Sequence, residues 1–276
     1  MKKINLWLLL SLFVAAFAMT ACSSSDDATS GGGGDDPTPP VVPTKAAVSG
    51  VVYSFGSPMS GVKVTAGTAS VTTGFNGMFV FEQVSGNVIK FEKEGYATIT
   101  RTITGDNATM NVTMTGVQTQ TFSASAGANL NMWYGTQNMK VELPTSYTDN
   151  NGNAYTGNVT AKAAYLNPAS SDFADAMPGD LTAIRTDQSE AALVSYGMIS
   201  VELTGDNGEK LQPGAPATLT FPVDPTKMKV APNDGDVMPL WSFNEETGLW
   251  EEEGLATYNA SLQAYVGTVQ NGPCLL

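Results

Sequence analysis

The sequence predicts an all-β fold: two β-sandwich domains behind a signal peptide and a flexible, disordered tether. Three observations predict it. Gly, Thr, Ser, Asn and Val are abundant, while charged residues make up only 14% of the chain, against a usual ~25%. That balance favours strands and turns over helices. Apolar residues alternate with polar or small ones, as at Val62, Val64 and Ala66 or at Met110, Val112 and Met114. Turn residues recur about every 8–12 positions, as they do in sandwiches. Finally, no stretch sustains a helical period.

Composition also excludes function classes. The apolar fraction of 42% is enough for a core. The formal net charge is -13, and removing residues 1–21 takes away Lys2 and Lys3 but no acid, so -13 - 2 gives -15. A body this acidic repels phosphate backbones, so no nucleic-acid partner is expected. The sequence contains no histidine. Ser–His–Asp and Cys–His catalysis and His-ligated zinc are therefore excluded. With Cys22 set aside, Cys274 is the one remaining cysteine. No internal disulfide and no thiolate metal cluster can form. No cofactor is expected.

The chain opens MKKINLWLLLSLFVAAFAMTAC. Two lysines, an apolar run from about Leu6 to Ala18 and then small residues follow the order of a secretory signal peptide. The run falls short of the ~20 apolar residues that span a bilayer. Met19-Thr20-Ala21-Cys22 resembles the bacterial lipobox, with Met where Leu is more usual. The resemblance implies cleavage after Ala21 and diacylglycerol on the thiol of Cys22, with a further acyl chain on its amine. Two or more chains hold a protein stably on a membrane, where one does not. Ser25-Asp26-Asp27 is similar to the acidic export tag of lipoproteins from Bacteroides-like bacteria. It implies the outer leaflet of the outer membrane, the cell surface, as the destination. Residues 22–44 carry the lipidated cysteine and the linker SSSDDATSGGGGDDPTPPVVPT. Its first part is flexible and its prolines stiffen the second.

Residues 45–116 form the first predicted domain. Strands are expected near 47–53, 61–66, 69–73, 78–83, 87–92, 96–103 and 109–115, separated by turns such as Asn76-Gly77 and Gly105-Asp106-Asn107. Phe79, Phe81 and Phe91 are expected to include core residues, and Tyr96 to be a packing residue. SGVVY, PMSGVKVTAG, TTGFNGMFVFEQV and FEKEGYATITRTI, in that order, resemble the carboxypeptidase regulatory-like family. The resemblance implies a transthyretin-like or immunoglobulin-like sandwich serving as a noncatalytic accessory module.

Residues 117–276 form the second. Strands are expected near 118–125, 138–143, 157–166, 196–204, 216–222, 238–244, 248–253 and 263–269, with one short helical turn in ASSDFADAMPGDLTAI. LWSFNEETGLWEEEG reads as a hairpin that sets Trp241 and Trp250 as cross-strand neighbours. AMPGDLTAI, LVSYGMISVEL, GAPATLTFPV and MPLWSFNEETGLWEEEG, in that order, are similar to an extracellular β-domain of bacterial surface proteins and to parts of cartilage intermediate layer proteins. The resemblance spans about residues 120–270, implies structural or matrix-type roles and brings no catalytic residues. In that family the stretch after YVGTV continues into another aromatic-rich strand. Here it becomes QNGPCLL, so the C-terminus reads as truncated or altered. That would leave 263–269 as an unprotected edge.

Site-like groups are few. Asp149-Asn150-Asn151-Gly152-Asn153 lacks the glycine position and the glutamate of an EF-hand loop, and Asx-turn chemistry accounts for it. Asn233-Asp234-Gly235-Asp236 and Asp206-Asn207-Gly208 read as turns. Glu251, Glu252 and Glu253 beside Asp224 or Asp236 offer a carboxylate pair for glycoside hydrolysis, set against a solvated charge run. Trp133, Tyr134, Trp241 and Trp250 are candidate stacking residues for a sugar ring. Trp241 and Trp250 suit the core better, whereas Trp133 reads as part of a polar, glycine-flanked loop. The expected function is a noncatalytic surface lipoprotein with an adhesive, structural or accessory binding role. The alternatives are a carbohydrate-binding lipoprotein of a glycan-uptake system and a carboxylate-based glycan hydrolase. Its partners are the membrane, through the lipid, and a glycan or surface protein.

Overall fold

A computed structural model describes residues 44–45, 47–193, 195–223, 230–270 and 274–275. The predicted leader, Ala21, Cys22, most of the tether and Asp224 lie outside the described residues. The protein is all-β, with one four-residue helix among the described residues, α1 (Phe173–Ala176). Residues 42–276 form one compact unit. Within it, two β-sandwiches keep separate cores.

The first sandwich holds β1 (Thr44–Lys45), β2 (Val48–Ser54), β3 (Ser57–Pro58), β4 (Lys63–Ala66), β5 (Ala69–Thr72), β6 (Met78–Phe81), β7 (Val84–Ser85), β8 (Val88–Glu92), β9 (Ile99–Thr102) and β10 (Ala108–Thr113). One sheet is built on β2, which pairs with β10, β3 and β6; the other runs β5-β4-β8-β9. Period-two alternation drives the packing. Val48, Val52, Phe79, Phe81 and Val112 from one sheet meet Val64, Ala66, Ile89, Phe91 and Ile99 from the other. Phe79 and Phe91 close edge to face across the core, with ring centroids 5.2 Å apart. Phe79 and Phe81, two apart on one strand, share the inner face. β2 and β10 run parallel and approach most closely at Gly50, where a Cβ would lie 1.8 Å from the Met110 carbonyl oxygen. Only glycine fits there.

The second sandwich holds β11 (Gln118–Ser123), β12 (Ala128–Tyr134), β13 (Gln137–Leu143), β14 (Tyr147–Asp149), β15 (Ala154–Tyr155), β16 (Asn158–Leu166), β17 (Thr182–Ile184), β18 (Glu190–Ala192), β19 (Met198–Thr204), β20 (Leu211–Pro213), β21 (Ala217–Pro222), β22 (Val237–Asn244), β23 (Leu249–Asn259), β24 (Ala264–Val269) and β25 (Cys274–Leu275). The large sheet runs β11-β16-β19-β25-β22-β23-β24-β21-β13-β12 and folds over on itself. Val159, Ala161 and Val201 from its first strands pack against Met139, Val141 and Leu219 from its last. A further core lies on the opposite face of β16, β19, β22 and β23. There Leu166, Met198, Trp241, Phe243 and Trp250 are covered by Met177, Ala183 and Leu193.

Three expectations are corrected. Residues 128–134 are a strand, not a loop, because Leu130 and Met132 alternate inward with outward Asn129, Asn131 and Trp133. Trp241 and Trp250 are not opposite one another. The hairpin closes at Asn244 and Leu249, and in that register Trp241 faces Glu252 while Phe243 faces Trp250; a bulge between Leu240 and Trp241 shifts only the pairs beyond. The strand at 264–269 is not an edge, since β24 pairs with β21 on one side and β23 on the other.

The sandwiches meet along β9, which pairs with only one strand, β8. Its other edge lies against the second sandwich. Thr98 N donates to Glu202 Oε1 at 2.7 Å and Gly179 N to Thr100 O at 2.9 Å. Thr102 Oγ1 donates to the Gly248 carbonyl at 2.9 Å. Arg101 Nη1 donates to the carbonyls of Ala174 and Met177 at 2.7 and 2.8 Å, which ties down the helix α1. Burial lowers the guanidinium pKa, and Asp175 and Asp180 oppose that shift. Ala97, just before β9, is itself buried in the second sandwich's outer core. Replacing Arg101 with Ala strands two carbonyls and removes charge-assisted hydrogen bonds. The expected loss is about 2–4 kcal/mol, read as a lower urea midpoint at unchanged m-value. A shift equivalent to less than about 0.5 kcal/mol, the ordinary range for surface substitutions, would contradict this account of the interface.

Candidate functional site

The candidate site lies at one end of the second sandwich, where its core opens between the starts of β19, β22 and β24 and the end of β21. An apolar recess of about 140 Å³ is lined there by Phe221, Val223, Met238, Leu240 and Tyr265, with Tyr196 at its rim. Tyr196 is exposed, and Tyr265 is buried. Burial raises the pKa of the Tyr265 hydroxyl, and Asp236 and Tyr196 add to the shift. Gly197 brings the wall against Tyr165, whose ring stands 6.2 Å from that of Tyr134. Burial holds the Tyr165 hydroxyl protonated well above its ordinary range. The aromatic rim therefore continues from the recess to the end of β12.

At that end a two-residue turn, Gly135-Thr136, joins β12 to β13. Gly135 takes φ of 60°, the conformation such a hairpin requires at its first central position. The turn leaves Trp133 65% and Tyr134 52% exposed. Trp133 shares the outer face of the sheet with Asn131 and Asn138, whose amides hydrogen bond at 2.9 Å. An indole face beside amides can stack on an apolar ring face and bond its polar substituents. Of the other stacking candidates, Trp250 is fully buried and Trp241 is 6% exposed. Trp250 packs on Phe243 with ring centroids 5.2 Å apart. Trp250 offers no face to a ligand, whereas Trp241 forms part of the wall of the apolar recess.

The carboxylates are dispersed into local ties. Glu251 accepts from the Asn244 side chain, Glu252 from the amide of Thr186 and Glu253 from the amide of Gln270. Asp236 accepts from the amide of Asn233, which closes that turn. Asp149 accepts from the amides of Asn151 and Asn153, an Asx turn. Asp206 accepts from the amide and side chain of Asn158. Among the described residues no cluster of three metal-ligating side chains occurs. A second, polar groove of about 900 Å³ runs where the two sandwiches meet. Lys90, Glu202, Lys210 and Glu245 line it, and Lys90 and Lys210 approach Glu245 at 3.9 and 3.4 Å. Lys90 thus pairs with Glu245 across the interface and Lys210 with Glu245 within the second sandwich, while Glu251 and Glu246 also line the groove.

The recess was not legible in the sequence. Tyr196, Phe221, Met238 and Tyr265 sit on four separate strands or loops, and only the fold brings them together. The signal available was the aromatic run Trp133-Tyr134, which marks the rim but not the hollow.

No family model matches this sequence. The chain is distantly homologous to cartilage intermediate layer proteins. It is 38% identical over 117 residues to cartilage intermediate layer protein 1 of Sus scrofa, covering 42% of this chain and 19% of that protein. Against the Homo sapiens protein 1 it is 35% identical over 117 residues, covering 42% and 10%. Against Homo sapiens protein 2 it is 37% identical over 103 residues, covering 37% and 9%. The matched region thus spans a fifth or less of each relative's length. Among solved structures, the major pilin subunit BcpA of Bacillus cereus aligns over 83% of this chain and 85% of its own. It does so at 12% identity and a TM-score of 0.21, which does not establish a common fold.

The hydrogen-bonded carboxylates of Asp149 and Asp206 give a pH prediction. Hydrogen bonds from Asn153 and Asn158 hold the carboxyls of Asp149 and Asp206 below their ordinary pKa. A depressed folded-state pKa means that their stabilisation is present above the unfolded value of about 3.9 and is lost as pH falls through the folded value. Carboxyl NMR titration should place both midpoints below that of a solvated aspartate. Midpoints at or above about 3.9 would contradict the turn geometry.

Proposed function

We propose that this chain is a noncatalytic lipoprotein of a Bacteroides-like cell surface, with an adhesive, structural or accessory binding role. The observation that carries the reading is the docking of the two sandwiches into one compact unit, in which β9 is buried edge-on and Arg101 is tied to two carbonyls. A body braced in this way suits a load-bearing or presenting role better than one that must open and close. The dispersal of Glu251, Glu252 and Asp236 into separate backbone and amide ties supports a noncatalytic role, as does the lack of histidine. The distant homology to cartilage intermediate layer proteins is compatible with a structural role. The carboxypeptidase regulatory-like reading of residues 45–116 fits a sandwich whose two sheets share one core.

The lipid anchor rests on Met19-Thr20-Ala21-Cys22. Mass spectrometry of the protein recovered from cells should find cleavage after Ala21 and a lipid thioether on Cys22. A bare thiol with the leader still attached would refute the anchor.

A second reading is favoured by Trp133, 65% exposed beside the Asn131–Asn138 amide pair. In that reading the protein is a carbohydrate-binding lipoprotein serving glycan uptake. Pull-down on a polysaccharide panel tests it. Retention on one polysaccharide, lost in Trp133→Ala at unchanged melting temperature, supports glycan binding. No retention on any member leaves the adhesive or structural reading standing alone.

A further inference from the structure

β12 is an edge strand of the large sheet and pairs, among the described residues, only with β13. The two-residue turn fixes which of its backbone groups are used. Tyr134 and Gln137 close the hairpin as a hydrogen-bonded pair, so 132/139 and 130/141 are hydrogen-bonded pairs as well. The amides and carbonyls of Asn129, Asn131 and Trp133 therefore point away from β13, to the open side. An edge of this length is normally blunted by lysine, proline, a bulge or brevity. β12 is seven residues long, ANLNMWY, with none of these devices. It lies within residues 107–139, the longest stretch of the chain without a charged side chain, in a protein of net charge -13.

We propose that β12 is the contact by which a second copy of this chain adds, strand to strand, about a two-fold axis at Asn131. Antiparallel pairing about that axis sets Asn131 opposite Asn131 of the copy, and Asn129 opposite Trp133. These are the residues whose backbone groups point outward, so each pair exchanges two hydrogen bonds. On the outer face Asn131 meets its own counterpart, amide to amide, and Trp133 lies over Asn129. On the inner face Leu130 meets Met132, and Tyr134 meets Ala128, whose small side chain leaves room for the ring. The pairing is self-complementary, as an isologous contact must be. Charge argues for a copy rather than another partner. Two molecules of -13 repel each other everywhere except along an edge that carries no charge. A basic partner, by contrast, would find no acid on this strand to meet. Because each copy uses its one β12, the assembly closes at two.

The test uses the mature-length chain from Cys22 with Cys22→Ser, so that lipid plays no part, in sedimentation equilibrium over a range of concentrations. The expected result is a reversible monomer–dimer equilibrium. Asn131 is exposed and faces Lys140 on β13, so Asn131→Glu should keep the wild-type melting temperature and Asn131→Lys should lower it only slightly. Each sets like charges directly opposite and should sediment as a monomer. An equimolar mixture of the two should restore a dimer containing one of each. Should Asn131→Lys not fold, Asn131→Glu, which faces Lys140 of its own hairpin, carries the same expectation of a monomer. A wild-type chain that stays monomeric throughout overturns the proposal. So does an Asn131→Lys dimer as stable as the wild type, a mixture that fails to associate, or growth into open-ended polymers.

Discussion

The structure turns on the buried edge of β9. An edge strand presents unsatisfied amides and carbonyls, and burying them without partners is costly. In this protein the second sandwich supplies those partners. Thr98, Thr100 and Thr102 exchange hydrogen bonds with Glu202, Gly179 and Gly248. Arg101 spends its guanidinium on two carbonyls of the segment around α1. A half-buried cation on backbone oxygens is a demanding arrangement. It holds only if α1, the segment leading to Gly179 and the Asn244–Gly248 turn are all in place. The two sandwiches therefore constrain each other's loops.

That constraint explains the third core. Trp241, Phe243 and Trp250 face away from the second sandwich's own interior, on the outside of β22 and β23. Alone they would form an exposed apolar patch. The segment carrying Met177, Ala183 and Leu193 covers them, and Ala97 of the first sandwich seals the margin. The same polar ties that fix β9 hold this cover down. Exposed apolar side chains remain on both sandwiches, at Phe55, Phe75 and Val80 of the first and at Trp133, Tyr134 and Tyr196 around the recess and β12 of the second.

Much of the fold was legible in the sequence. Alternation placed most strands to within a few residues, because Val62 and Val64 have to point into one core and Ile199, Val201 and Leu203 into another. The turn at Asp149 was legible from Asx chemistry, whereas the tie from Asp206 to Asn158, far off in the chain, was not. β12 was not legible, because Asn129 and Asn131 carry turn propensity and glycines flank the strand. Only pairing with β13 makes them outward strand positions. Nor could strand order be read. Whether β24 is central or an edge depends on partners far off in the chain. The role of Arg101 had no signal in the sequence, because its carbonyl partners lie more than seventy residues away. The Trp241–Trp250 pairing failed for a local reason, since the turn closes at Asn244 and Leu249 and that register sets Phe243, not Trp241, opposite Trp250.

If the sandwiches are one body, they unfold together. Differential scanning calorimetry of the folded chain compares the measured enthalpy with the van't Hoff enthalpy of the transition. The account predicts one transition with a ratio near unity, and the same midpoint from far-UV circular dichroism and from tryptophan emission, which reports on the second sandwich. Two resolved transitions, with tryptophan emission following only one of them, would show that the β9 interface does not couple the sandwiches and would contradict the account.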